Sequence, residues 1–177
     1  RSREAKLAEV RARMGERRQD VLLLSDPEDV AWLLNVRTRD SLQAIPERRH
    51  VVPIPRSRMI VPSAGPILWF VEATRLEPAL AQDVAGMVTL CAPKTFQAAL
   101  AAAASGRSVA ANLRKMSYGD AAIVRGVGEI ADDAAVAQAR WVKHPNEIIA
   151  ARDGHLVDGA AVIRFLTWLL SAVKEGP

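Results

Sequence analysis

The sequence predicts an α/β domain, a mixed sheet flanked by helices, on three observations. Short apolar runs alternate with segments of helical periodicity along most of the chain, the pattern of a layered α/β protein. The run Val21-Leu22-Leu23-Leu24 is apolar throughout, as a strand covered on both faces must be. Two further apolar runs, Met59-Ile60-Val61 and Ile67–Val71, flank the turn Pro62-Ser63-Ala64-Gly65-Pro66, which predicts a hairpin and so an antiparallel pair within the sheet.

Each element has its own signal. Residues 3–18 read as a helix with Leu7, Val10 and Met14 on one face. After Val21–Leu24, Ser25-Asp26-Pro27-Glu28-Asp29 starts a helix: a capping residue, proline in the first turn, and carboxylates at the positive end of the helix dipole. That helix carries Val30, Leu33 and Leu34 and ends near Asn35. Residues 50–61, with Val51, Val52 and Ile54 broken up by Pro53 and Pro55, predict an edge or bulged strand. A helix is expected over 74–82, a strand over 87–91, an alanine-rich helix over 95–104, a short strand over 107–111 and a short helix over 118–125. Residues 129–135 fit either class. The predicted core is Leu22, Leu24, Trp32, Leu33, Ile60, Leu68, Phe70, Val88, Leu90, Phe96 and Leu100, with Val21–Leu24 central in the sheet.

At 177 residues the chain has length for one cored domain and a short extension. Half the residues are hydrophobic and 25% are charged, as in soluble globular proteins. The apolar residues fall in periodic segments, none an unbroken run near the ~20 residues of a bilayer span. The charged start Arg1-Ser2-Arg3-Glu4-Ala5-Lys6 carries no signal-peptide core. Neither a membrane nor nucleic acid is therefore expected as a partner. One cysteine, Cys91, fits a cytoplasmic protein. The net charge of +4 comes from 24 basic and 20 acidic residues. Arg11, Arg13, Arg17 and Arg18 interleave with Glu4, Glu9 and Glu16, as solvated helix faces with local ion pairs do. Arg48, Arg49, Arg56 and Arg58 are less compensated, and a phosphate-binding patch is the rival reading there.

The residues by themselves reveal no active site. His50, His144 and His155 are far apart and no cysteine pair exists, so no metal site is legible. Cys91 closes an apolar strand, where a buried, inert thiol is expected. Gly126-Val127-Gly128 lacks the third glycine and the preceding strand of a dinucleotide fingerprint. Glu28/Asp29 is explained as helix N-terminal charge, and Asp132/Asp133 reads as a loop. Residues 146–173 predict a long helix whose stripe includes Ile148, Ala151, Gly159, Val162, Leu166, Leu169 and Val173, with His155 on the same face. So apolar a face requires cover, and the expectation is that the sequence is a piece of a larger protein, stopping just after a second domain begins. An uncovered stripe invites self-association, which makes a homodimer a candidate partner.

Two segments together go further. Pro27-Glu-Asp-Val-Ala-Trp-Leu-Leu-Asn-Val-Arg-Thr-Arg-Asp40, with Pro46 after it, resembles the signature D-[ED]-[IV]-A-W-L-x-N-x-R-G-x-D…P in the middle domain of three-domain Xaa-Pro aminopeptidases (aminopeptidase P). Lys143-His-Pro-Asn-Glu-Ile-Ile-Ala-Ala-Arg152, with His155 and Asp158-Gly-Ala-Ala-Val-Ile-Arg-Phe-Leu-Thr-Trp-Leu-Leu170, resembles that family's passage into its pita-bread catalytic domain. The opening helix and Lys115-Met-Ser-Tyr118 are similar to family segments as well. Thr38 stands where the family has glycine, a change that bears on the backbone of that loop.

The resemblance implies a ribonuclease H-like, creatinase N-terminal-like domain over residues 1–139. Over 140–177 it implies a linker and the first helix of an incomplete pita-bread metallopeptidase domain. It implies a parent enzyme that removes the N-terminal residue preceding proline, with proline-containing peptides as substrates. Two divalent metal ions, manganese the expected one, are implied for the parent. Their ligands and the catalytic residues would lie in the downstream catalytic domain, the partner of this one, so none is expected in this chain. Trp32, Arg37, Arg39 and Asp40 are the candidates for lining the substrate cleft; the competing reading makes Trp32 core and Arg37 to Asp40 a loop brace. Two rival functions stand beside this one: a prolidase or creatinase relative, and a free-standing α/β binding domain whose basic 48–58 segment takes an anionic partner.

Overall fold

Four successive apolar residues must be covered on both sides, and β1 (Val21–Leu24) is: each of the four is at most 4% exposed. The computed structural model describes residues 1–37 and 54–175, which form two compact units, Arg1–Arg140 and Trp141–Pro177.

In the first unit, α1 (Arg3–Glu16) leads into β1, α2 (Pro27–Leu34), β2 (Ser57–Pro62) and β3 (Ile67–Val71). Then come α3 (Pro78–Val84), β4 (Val88–Cys91), α4 (Phe96–Ala104), β5 (Ser108–Ala111), α5 (Tyr118–Val127), β6 (Glu129–Asp132) and α6 (Ala135–Trp141), the last of which crosses into the second unit. The sheet has the order β4-β3-β2-β1-β5-β6. β2 is antiparallel to both β1 and β3, the expected hairpin, while β1–β5, β5–β6 and β3–β4 are parallel. The mixed sheet flanked by helices is the fold class the sequence predicts.

The two-residue period of a strand divides β1 between two cores. Leu22 and Leu24 pack with Met59, Val61 and Trp69 against α1 and α2, through Leu7, Val10, Met14, Val30 and Leu33. Val21 and Leu23 join Ile60, Phe70 and Val109 under Phe96, Leu100 and Ala104 of α4 and Val124 of α5. There Phe70 and Phe96 meet edge to face, centroids 5.1 Å apart at 86°, a geometry that adds to the area they bury.

Local chemistry sets the ends. Ser2 Oγ accepts from the Ala5 N–H at the start of α1, and Asp26 Oδ1 from the Glu28 N–H at the start of α2, with Pro27 in its first turn. α1 stops at Glu16 rather than at 18, because Arg18 turns left-handed at φ 55° and the Gln19 N–H closes on Met14 O.

Several expectations need correction. β2 is no edge strand: its proline neighbours sit at its ends, Pro55 before it and Pro62 as its last residue, so they cost no ladder bond in the middle. The helix expected over 74–82 is divided into a 3₁₀ turn, Ala73–Arg75, and α3, because Pro78 holds Glu77 extended at ψ 137°. Residues 129–135 resolve into β6 and the start of α6. Trp32, Leu68 and Leu90 are half-buried rather than core, and the other eight predicted core residues are buried. Val51, Val52 and Pro53 lie outside the described residues.

The second unit is dominated by α7 (Pro145–Glu175), with Val162, Leu166, Leu169 and Val173 all exposed. Although no uninterrupted apolar run is that long, a window of α7 reaches a mean hydropathy of 1.6 and by length and composition could cross a membrane. The same stretch carries Asp158 and Arg164, residues a bilayer core disfavours.

Gly128 shows a constraint the sequence does not advertise. Its backbone is extended, so conformational freedom is not the reason for glycine. A Cβ there would lie 2.7 Å from Arg107 O and deep inside contact distance of Ala104 O. Gly128→Ala should therefore push β6 away from the end of α4, lowering unfolding free energy by about 3 kcal/mol. Urea denaturation reads this, and a stability within experimental error of wild type would contradict the packing.

Candidate functional site

The last carbonyls of a helix have no partners within the helix and must find them elsewhere. At the end of α2, Asn35 turns left-handed at φ 53°, its N–H bonding back to Trp32 O, and the Val36 N–H reaches Ala31 O. α1 supplies the rest. Arg3 Nε donates to Leu34 O, and Lys6 Nζ donates to both Trp32 O and Asn35 Oδ1. Asn35 Nδ2 in turn donates to Arg1 O at 3.0 Å. The Lys6 ammonium lies 4.5 Å from the centroid of the Trp32 ring, and the residue is only 4% exposed. Positive groups thus meet the negative end of the helix, where charge and dipole attract.

This is where the structure places two of the four cleft candidates. Trp32 is half-buried beneath Lys6, and Arg37 is exposed, its Nη1 donating to Val36 O at 2.7 Å. Arg39 and Asp40, with Thr38, Pro46, Arg48, Arg49 and His50, lie outside the described residues. The sequence reading missed Lys6. Its signal was position, since it shares the buried face of α1 with Leu7, Val10 and Met14.

A second polar group gathers where β1 and β5 end. Ser25, Asp26, Asp29, Asn112, Lys115 and Asp133 line one cleft. It falls between parallel strands, beyond their carboxyl ends, a usual position for functional groups in α/β sheets. Asp29 is buried and 2.9 Å from Arg140 Nη1, while exposed Glu28 lies 2.6 Å from Arg140 Nη2. Helix N-terminal charge is thus an incomplete account of both: each also meets Arg140, and Asp29 does so while buried. Burial pushes the Asp29 carboxyl up to about 6, with Arg140 pulling the other way. Asp132 is the last residue of β6, whereas Asp133 does lie in the loop between β6 and α6, as expected, but is buried there. Burial disfavours its charge, yet hydrogen bonds from Gln19, the Ala135 N–H and Arg17 hold its carboxyl below the ordinary range.

The arginines are likewise committed. Arg13 pairs with Glu9 on its own helix, but Arg17 reaches Asp133 at 2.7 Å and Arg11 donates to Pro62 O and Gly65 O across the hairpin turn. Arg58 lies 3.7 Å over the Phe96 ring and 3.0 Å from buried Asp120, which makes it a packing residue. Among the described residues no group of three or more His, Cys, Asp or Glu could hold a metal ion. His144 immediately precedes α7, its N–H donating to Glu147 Oε2 at 2.7 Å, and His155 is exposed on that helix. Cys91 is half-buried, with burial pushing its thiol up, the reverse of an activated nucleophile.

Known proteins resemble the chain in sequence and in fold. The creatinase/prolidase N-terminal domain family matches residues 1–147. A probable Xaa-Pro aminopeptidase P of Arthroderma gypseum is 27% identical over 98% of this chain and 27% of its own length. The X-prolyl aminopeptidase of Caenorhabditis elegans, described as a cytosolic enzyme with a di-nuclear active site, superposes with a TM-score of 0.83 at 20% identity. That match covers 99% of this chain and 28% of the nematode protein. The creatinase/prolidase N-terminal domain of an X-Pro dipeptidase from Streptococcus pyogenes superposes with a TM-score of 0.51 at 14% identity, over 76% of this chain and 98% of that one. At these identities the solved structures establish the fold. The chain spans about a quarter of the length of the aminopeptidase relatives.

Lys6→Met keeps the aliphatic stem but strands the amide oxygen of Asn35 and leaves Trp32 O with the Asn35 N–H as its remaining donor. It should cost about 1.5–3 kcal/mol of unfolding free energy, whereas Arg37→Ala should stay within about 0.5 kcal/mol. Equal effects in parallel urea titrations would contradict the assignment of Lys6 as the buried brace.

Proposed function

The chain belongs to the creatinase/prolidase N-terminal domain family, and on that premise we propose that it is the non-catalytic middle domain of a metal-dependent Xaa-Pro aminopeptidase. In this reading the domain proper is residues 1–139. Residues 140–177 are the linker and first helix of a pita-bread catalytic domain, which covers the apolar face of α7. The observation that carries the proposal is coverage: the aminopeptidase relative aligns over 98% of the chain, past Arg140 and into α7. Divalent metals, manganese the expected one, would supply the activated water for hydrolysis. In this reading the metals belong to the catalytic domain. A cytoplasmic location follows the nematode relative, described as cytosolic.

The role proposed for this domain is to restrict the cleft. The end of α2 is braced from α1, and the chain leaves it through Arg37 toward Arg39 and Asp40. A firmly held exit suits a segment that contributes to substrate binding. Trp32, Arg37, Arg39 and Asp40 are the residues proposed to shape that wall.

The parent chain, supplied with divalent metal, should release the N-terminal residue from Xaa-Pro peptides longer than two residues, and the 177-residue chain alone should not. Strict confinement to Xaa-Pro dipeptides would favour the prolidase reading, and metal-dependent cleavage by the 177-residue chain would overturn the assignment. In the parent, Arg37→Ala, Arg39→Ala or Asp40→Ala should raise KM for longer peptides with unchanged Tm; lowered Tm alone would make these residues a loop brace.

The exposed stripe on α7 carries its own expectation. Cutting the chain after Lys143 should reduce any dimerisation measured by analytical ultracentrifugation, because Val162, Leu166, Leu169 and Val173 are exposed. Equal self-association with and without the helix would sink this reading of the homodimer.

A further inference from the structure

One arginine ties the last turn of α6 to the start of α2. Arg140 contacts exposed Glu28 at 2.6 Å and Asp29, only 3% exposed, at 2.9 Å. Among the described residues, few charged groups act on Asp29. Asp26 and Glu28 share its helix and disfavour its charge, while Lys115, from the segment before α5, favours it and also lies 3.4 Å from Asp26. Asp133 lines the same cleft, engaged by Arg17 and Gln19. Arg140 is the cation in direct contact.

The placement of Arg140 makes its release a local event. Val136, one turn earlier in α6, is 3% exposed, and it lines the Asp29 cleft together with Ala137. Fraying of the last turn takes the guanidinium away and leaves those side chains where they are. Asp29 would then be a buried carboxylate without its counter-charge, a costly state that a proton relieves. Docking of Arg140 and ionisation of Asp29 are therefore thermodynamically linked.

We propose that the Asp29–Arg140 pair is a proton-operated clasp on the last turn of α6, tight while Asp29 is ionised and loosened when it is protonated and Arg140 loses one of its two carboxylates. The clasp sits at the last residue of the Arg1–Arg140 unit. Burial raises the carboxyl from 3.8 to about 6 even with Arg140 in place, which puts the switch in mildly acidic solution.

The sign differs from that of global unfolding. The folded-state value lies above the ordinary 3.8 of an unfolded chain, so the Asp29 contribution to global stability falls as pH rises from about 4 to about 6. The clasp runs the other way, because its open state still buries Asp29, and it tightens as pH rises through about 6.

The test is an NMR titration of the 177-residue chain between pH 4.5 and 8, following the Asp29 carboxyl carbon and the Cα shifts of Ala139 and Arg140. The expected result is a common midpoint near 6, with the last turn helical above it and frayed below. Asp29→Asn should hold the frayed shifts at every pH, and Arg140→Gln should move the Asp29 midpoint upward. Last-turn shifts that ignore pH, or that become more helical in acid, overturn the proposal. So does an Arg140→Gln variant whose Asp29 midpoint stays put or falls.

Discussion

The fold depends on β1 having no solvent face. Its four side chains alternate between two cores, so every neighbour it recruits must itself be covered on the matching side. β2 approaches it antiparallel and β5 parallel. α1 and α2 then close one face while α4 and α5 close the other. The hydrophobic effect supplies the drive, but alternation along one strand decides which helix goes where.

The same constraint positions both polar groups. Because α2 follows β1 directly and must lie on the Leu22/Leu24 side, its first turn ends up over the cleft at the carboxyl ends of β1 and β5. Its last turn meets α1, where Arg3 and Lys6 take its open carbonyls. One short helix therefore carries the buried Asp29 at one end and the Trp32 to Arg37 exit at the other.

What was legible in the sequence was what rests on neighbours in sequence. The strand Val21–Leu24, the cap at Asp26 with Pro27 behind it, and the 62–66 turn could all be read because their causes lie within a few residues. β2 was misread because its prolines were counted without asking where they fall, and the 74–82 helix because Pro78 breaks it from inside. Lys6, Asp29, Asp133 and Gly128 were illegible for another reason. Their partners are distant, as with Arg17 and Asp133, separated by 116 residues, or Lys6 and Trp32, by 26. The family resemblance rested on the Ala31-Trp32-Leu33-Leu34-Asn35 run and the Lys143 to Leu170 segment, and the match of the family to residues 1–147 agrees with it.

Native-state hydrogen exchange of the 177-residue chain tests the central constraint most directly. If β1 is the element on which both cores close, the amides of Leu22, Leu23 and Leu24 should exchange only through global unfolding, with a free energy equal to that from urea denaturation. The edge strand β6, whose residues are half-buried or exposed, should open first. Exchange of β1 through a smaller opening, with β6 the better protected, would contradict the account.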